Sequence, residues 1–142
     1  MATTRALVVT RHGGPEVLAV EERDVAEPGP GEALVEVAAG GVNFIDVYQR
    51  EGVYPTEAPF VIGNEGAGVV RSVGEGVTGL APGDRVAWPF MLGSAAEITV
   101  APAESVVPVP DGVDLETATY EAMQQLLALP HPPDAVFCYN DA

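Results

Sequence analysis

The stretch Gly63-Asn64-Glu65-Gly66-Ala67-Gly68-Val69-Val70 decides the fold of this chain. It opens a strand-like run that extends to Val73 and ends at the turn Gly74-Glu75-Gly76. Its glycines imitate part of a phosphate-binding loop, but such a loop leads into a helix, and no helix pattern follows here. We therefore interpret it as one strand of a mainly β fold and not as a nucleotide-binding motif.

Strand-forming runs recur on both sides of this stretch. The chain contains 16 glycines and 13 prolines, which is typical of many short strands joined by turns. The predicted strands are Ala6–Thr10, Val17–Glu22, Ala33–Ala38, Gly63–Val73, Arg85–Trp88, Ala95–Val100 and Ser105–Val109. A short helix, Phe44–Arg50, is predicted between a capping Asn43 and a terminating Gly52. Together these elements predict a barrel or a sandwich.

The hydrophobic pattern changes after Gly112. Asp114 is a candidate helix cap, and apolar residues then follow at spacings of three and four. These residues are Leu115, Ala118, Ala122, Leu126 and Leu129. After Pro130, Ala135–Tyr139 is typical of a buried strand. We therefore predict two units: a domain over residues 1–118 and an appended helix and strand over residues 119–142.

Composition excludes several classes of partner. The 142 residues carry a formal charge of −15, and all six cationic side chains are arginines. Such a surface repels phosphate, so we expect neither nucleic-acid binding nor binding to anionic membranes. No apolar run approaches the roughly 20 residues that span a bilayer. With one cysteine, Cys138, and no evident signal peptide, the expected location is the cytoplasm.

Six ordered blocks resemble the N-terminal catalytic domain of the zinc-free quinone oxidoreductases, a branch of the medium-chain dehydrogenase/reductase superfamily. The blocks are Thr10–Leu18, Glu27–Glu32, Gly41–Arg50, Gly63–Val70, Pro82–Val86 and Val107–Gly112. The resemblance implies a GroES-like, partly open β-barrel. It also implies a parent enzyme that transfers hydride from NADPH to a quinone or a conjugated carbonyl.

The same resemblance suggests site residues. Asn43 would meet the nicotinamide, and Tyr48 and Tyr54 would line the substrate cleft. An amide side chain offers a donor and an acceptor to a carboxamide, and a tyrosine hydroxyl can polarise a quinone oxygen. Each residue also has a structural interpretation: Asn43 as a helix cap, and the tyrosines as half-buried packing residues.

No metal site is predicted. Zinc-dependent relatives place a cysteine and a histidine at the positions that correspond to Asn43 and Asn64, and neither asparagine supplies the thiolate or imidazole that zinc prefers.

Four polar residues near these blocks have structural interpretations. We expect Glu65 to bond backbone at the turn, and His12 to lie on the surface. Asp46 and Arg50, at helical i, i+4 spacing, are expected to pair.

The last residues resemble a different family. Residues 120–127 and 132–141 are similar to a helix and a strand of the effector-binding domain of LacI-type repressors and related sugar-binding proteins. We therefore interpret the chain as chimeric or engineered, with no cofactor of its own and no unaided activity. The appended segment would cover bare apolar surface or form a homo-oligomer. The alternatives are NADPH-dependent quinone or enone reduction when a nucleotide-binding domain is supplied, and a small sugar- or purine-binding module.

Overall fold

The computed structural model describes residues 2–119, which form two antiparallel sheets. The strands are β1 (Ala2–Val9), β2 (Leu18–Val25), β3 (Glu32–Gly41), β4 (Phe60–Val61), β5 (Glu65–Val73), β6 (Arg85–Trp88), β7 (Ile98–Pro102) and β8 (Val107–Pro108). The smaller sheet has the order β2-β1-β4, and the larger has the order β7-β3-β5-β6-β8. The prediction of a mainly β fold is confirmed.

Helical structure is short. The helix α1 spans Phe44–Glu51, and 3₁₀ turns span Pro15–Val17 and Ala103–Ser105. Residues 115–119 are also helical. The Asp114 carboxylate accepts a hydrogen bond from the Thr117 amide at 2.7 Å, so the predicted cap is confirmed.

Each sheet buries its own apolar cluster. Trp88, Val35, Val70 and Val86 are the largest fully buried side chains of the cluster on the larger sheet. The smaller sheet buries a second cluster, composed of Val9, Val17, Phe60 and Ile62. Consecutive residues are buried in β3, β5 and β6, so the larger sheet is covered on both faces there.

The two sheets are linked but do not close. Ala6 forms a bridge to Ala96, and the Leu7 amide donates to the Ala95 carbonyl at 2.8 Å. Among residues 2–119, β2 and β8 each pair with one neighbour only. The expected partly open barrel is therefore two open sheets joined through the segment 94–97 and through apolar contacts of Val25 with Leu34 and Ile98.

Strand ends differ from prediction where loops take over backbone hydrogen bonds. β6 occupies the predicted Arg85–Trp88. β7 begins at Ile98 and not at Ala95, because the Ala95 amide donates to the Ile62 carbonyl at 2.9 Å. The two-residue strand β4 was not predicted.

The predicted appendage, residues 119–142, lies outside the described residues except for Thr119. Residues 115–119, the start of the predicted C-terminal helix, are described and pack on the larger sheet. Ala118 is buried against Ala67 and Ala87 of β5 and β6. No helix within residues 2–119 is both long and apolar enough to cross a membrane.

Candidate functional site

The helix α1 follows the end of β3 and begins at Phe44, with Asn43 as its N-cap. Asn43 has an extended backbone (φ −126°, ψ 160°), and its backbone amide donates to the Asp46 carboxylate at 2.8 Å. The two residues thus form a capping box, as an N-terminal cap with an acidic residue three positions later favours. The helix ends at Gly52, whose φ of 79° suits glycine better than any residue with a side chain. The predicted helix start and end are confirmed.

An aromatic cluster composed of Phe44, Tyr48 and Tyr54 covers the outer face of α1. Phe44 and Tyr48 are one helical turn apart, with ring centroids separated by 6.3 Å and planes inclined by 29°. The left-handed turn at Gly52 reverses the chain, so the Tyr54 amide donates to the Tyr48 carbonyl at 3.3 Å. The Tyr54 ring therefore meets the Tyr48 ring edge-on at 5.6 Å. The three side chains are 52%, 40% and 49% exposed, so the cluster offers apolar surface to a ligand or a neighbouring domain.

A polar cluster lies on the inner side of α1. The Asn64 amide donates to the Asp46 carboxylate at 2.7 Å and to the Gln49 side-chain oxygen at 2.8 Å. Asp46 is 5% exposed, so its hydrogen bonds from the Asn64 side chain and from the Asn43 backbone amide replace its contacts with water. The predicted Asp46–Arg50 pair is wrong, because Arg50 turns away to Glu51 at 2.7 Å and to a backbone carbonyl.

Asn43 also faces Glu65, the first residue of β5. The side-chain amide nitrogen of Asn43 donates to the Glu65 carboxylate at 2.8 Å. The expectation that Glu65 bonds to backbone at the turn is therefore wrong. Glu65 is 9% exposed. Burial raises the pKa of this carboxyl above its ordinary value, the Asn43 hydrogen bond opposes that shift, and the charge of Asp46 adds to it.

A cleft of about 290 Å³ opens beside Glu65. It is lined by the end of β3, Gly63, Glu65 and the segment Ser94–Ala96. Asn43, Tyr48 and Tyr54 do not line it. The structure therefore places Tyr48 and Tyr54 together and ties Asn43 to Glu65, but it does not gather all three around this cleft.

His12 is a further predicted position whose contacts are described. His12 lies on the surface as predicted, and its Nε2 is 2.8 Å from the Thr56 carbonyl oxygen. No group of three or more histidine, cysteine, aspartate or glutamate side chains among residues 2–119 is placed to hold a metal ion.

The residues that are similar to known proteins are those that form the two sheets and α1. Residues 29–111 match the alcohol dehydrogenase GroES-like domain family. The chain belongs to this family. The GroES-like fold implied by the six sequence blocks is thereby confirmed.

Relatives within the family include a quinone oxidoreductase of Pseudomonas aeruginosa, 48% identical over 109 residues, which are 75% of this chain and 34% of that protein. The structure of the Escherichia coli quinone oxidoreductase complexed with NADPH superposes with a TM-score of 0.82 at 37% identity, over 88% of this chain and 38% of that one. A mycobacterial protein complexed with NADPH superposes with a TM-score of 0.81 at 44% identity, over 88% of this chain and 39% of that one. The chain thus spans about a third of the length of the curated relatives it matches.

Sequence reasoning missed the pairing of Asn43 with Glu65. A signal was present, because Gly40 and Gly41 end β3 where a strand glycine often marks close approach of a neighbour. Gly41 is the cross-strand partner of Glu65.

Proposed function

We propose that this GroES-like domain is the substrate side of an NADPH-dependent reductase that acts on quinones or conjugated carbonyls and uses no zinc. The observation that carries the proposal is the pair of exposed tyrosines held edge to face: Tyr48 lies on the helix that Asn43 caps, and Tyr54 follows that helix. Relatives named quinone oxidoreductase, two of them 48% and 41% identical, support the same substrate class.

The aromatic cluster suits a flat, apolar acceptor with carbonyl groups. Aromatic rings attract such a molecule by offset stacking or edge contacts, and a nearby hydroxyl can donate to a carbonyl oxygen. As hydride reaches the acceptor, negative charge develops on that oxygen. A tyrosine hydroxyl directed at the oxygen would stabilise this charge.

Asn43 is the residue that would hold the nicotinamide. Its carboxamide has the donor and acceptor that a second carboxamide requires, and its position is fixed by the helix start and by Glu65. NADPH, when bound, supplies the hydride. The protein would contribute orientation, which in well-oriented reactions accounts for about 7–11 kcal/mol of the barrier.

The dinucleotide also needs a phosphate-binding domain, which the resemblance places after this domain in complete relatives. We propose that hydride transfer requires such a domain, in the same protein or supplied separately. The 142-residue polypeptide alone is then inactive.

This proposal is tested by mixing the polypeptide with NADPH and a quinone and following absorbance at the nicotinamide band. The expected result is no turnover by the polypeptide alone and turnover once a nucleotide-binding domain is added. Tyr48→Phe, which keeps the ring and loses the hydroxyl, should retain substrate binding and lose rate. Tyr48→Leu should lose both. Equal activity in all three proteins would contradict the role of the tyrosines.

We further propose that residues 119–142 are of different origin, which would make the chain a chimera, and that they mediate self-association. The support is the similarity of residues 120–127 and 132–141 to a LacI-type helix and strand. Light scattering after size exclusion tests this on the full chain and on a chain ending at Thr119. Identical mass per particle and identical thermal stability of both chains would exclude the proposed role.

A further inference from the structure

Glu65 is a buried carboxylate whose hydrogen-bond partner is a candidate cofactor-binding residue. Its Oε2 accepts from the Asn43 amide nitrogen at 2.8 Å, across 22 residues of sequence. Asn43 itself is half-buried at the start of α1. The contact therefore joins β5 to the residue that the proposed function assigns to the nicotinamide.

The backbone of β3 is shaped to admit this carboxylate. A Cβ at Gly41 would lie 2.7 Å from the Glu65 carboxyl carbon and 2.9 Å from its Oε1, closer than such atoms approach. At the neighbouring Gly40 the nearest atom to an added Cβ would be 3.7 Å away, an ordinary contact. Of these two adjacent glycines, only Gly41 is required by the position of Glu65.

The ionised form of the Glu65 carboxyl carries an energetic penalty in the folded protein. Burial raises the pKa of Glu65, so the ionised form is less favourable in the folded protein than in water. Asp46 is the charged group that acts on it, and it adds to the penalty. The cleft-lining residues of β3 and of the segment 94–96 carry no charge. A buried carboxyl kept at such a cost is more typical of a functional site than of a structural contact.

We infer that Glu65 is a positioning residue, which orients the Asn43 carboxamide for the ligand of the proposed reductase. An ionised carboxylate only accepts hydrogen bonds, so it fixes which end of the carboxamide is the nitrogen. The opposite, carbonyl end is directed away from Glu65. An amide nitrogen carries two hydrogens, and Glu65 engages one of them, so the other is available to a carbonyl oxygen of the ligand. This inference rests on the proposed function for its ligand and on the Asn43–Glu65 contact for its geometry.

The geometry is tested by nuclear magnetic resonance on the full 142-residue chain. The side-chain amide resonances of Asn43 are followed from acidic to neutral pH. We expect them to shift with a midpoint above the ordinary glutamate pKa. In Glu65→Gln, which keeps an acceptor and cannot ionise, the shift should disappear. Asn64, whose amide donates to Asp46 and Gln49, is the internal control for effects that arise from Asp46 and not from Glu65. Asn43 resonances that do not respond to pH, or that respond equally in Glu65→Gln, would overturn the inference.

The positioning role is tested by kinetics in the presence of an added nucleotide-binding domain. Glu65→Leu and Gly41→Ala should each lower kcat by about 10- to 100-fold, with a smaller change in KM, because a charge-assisted hydrogen bond and its alignment are lost. Glu65→Gln, which keeps an acceptor but is neutral and can also donate, should restore only part of the rate, and Gly40→Ala should match the unmodified protein.

Undiminished kcat in Glu65→Leu would overturn the positioning role while leaving the proposed function intact. Absence of turnover in the unmodified protein would instead count against the proposed function, and the resonance titration would still decide the geometry of Asn43.

Discussion

The indole of Trp88 depends on a single buried hydroxyl, which Ser94→Ala removes. Trp88 is fully buried, and its Nε1 donates to the Ser94 Oγ at 2.7 Å. The Ser94 hydroxyl in turn donates to the Met91 carbonyl at 2.7 Å. Ser94 is 1% exposed, so water does not replace the lost group without rearrangement.

The expected cost follows from these two bonds. A buried donor left without a partner costs about 1–3 kcal/mol, and loss of an ordinary hydrogen bond costs about 1 kcal/mol more. Ser94→Ala should therefore lower the free energy of unfolding by about 2–4 kcal/mol. Urea denaturation followed by circular dichroism measures this. Because Trp88 is the only tryptophan, its fluorescence reports the same transition locally.

A double-mutant cycle isolates the Trp88–Ser94 bond. In a Trp88→Phe background there is no indole donor to leave unpaired, so Ser94→Ala should cost about 1–3 kcal/mol less there than in the unmodified chain. A cost below about 0.5 kcal/mol in the unmodified chain, or the same cost in both backgrounds, would refute the reasoning.

Three further predictions concern the site. Gly41→Ala should lower the free energy of unfolding by about 1–3 kcal/mol as Glu65 is displaced, whereas Gly40→Ala should change it little; urea melts that coincide would contradict the predicted clash. Asn64→Leu leaves the buried Asp46 carboxylate with one partner fewer, so we expect a loss of about 1–3 kcal/mol in thermal or urea denaturation, and an unchanged midpoint would count against it. Glu65 has a folded-state pKa above its unfolded value, so its contribution to the free energy of unfolding is fully present below the unfolded pKa and is lost as pH rises through the folded pKa. The free energy of unfolding of Glu65→Gln, relative to that of the unmodified chain, should therefore rise between these two pKa values and stay level above them. A fall of this relative stability over the same pH range would contradict a raised pKa.

Local signals in the sequence were sufficient to locate α1 and its ends. Asn43 and Gly52 act through contacts within a few residues, so helix caps and left-handed turns can be predicted from residue type alone. Asp114 was identified for the same reason. The mainly β character followed from turn residues and strand-length runs, which are also local.

Contacts between residues that are distant in the sequence could not be predicted from residue type. The bond between Asn43 and Glu65 depends on the register that places Gly41 opposite Glu65, and no residue type encodes that register alone. The predicted pair of Asp46 and Arg50 failed because each side chain has tertiary partners, and an i, i+4 ion pair on a helix contributes only tenths of a kcal/mol.

The reaction that this domain supports is tested most directly by joining residues 2–119 to the unmatched remainder of the Pseudomonas aeruginosa quinone oxidoreductase; this chain is 48% identical to that protein over 109 residues, which are 34% of its length. We predict quinone-dependent oxidation of NADPH that is reduced by Tyr48→Leu. A folded fusion that binds NADPH and reduces no quinone or conjugated carbonyl would contradict the assignment.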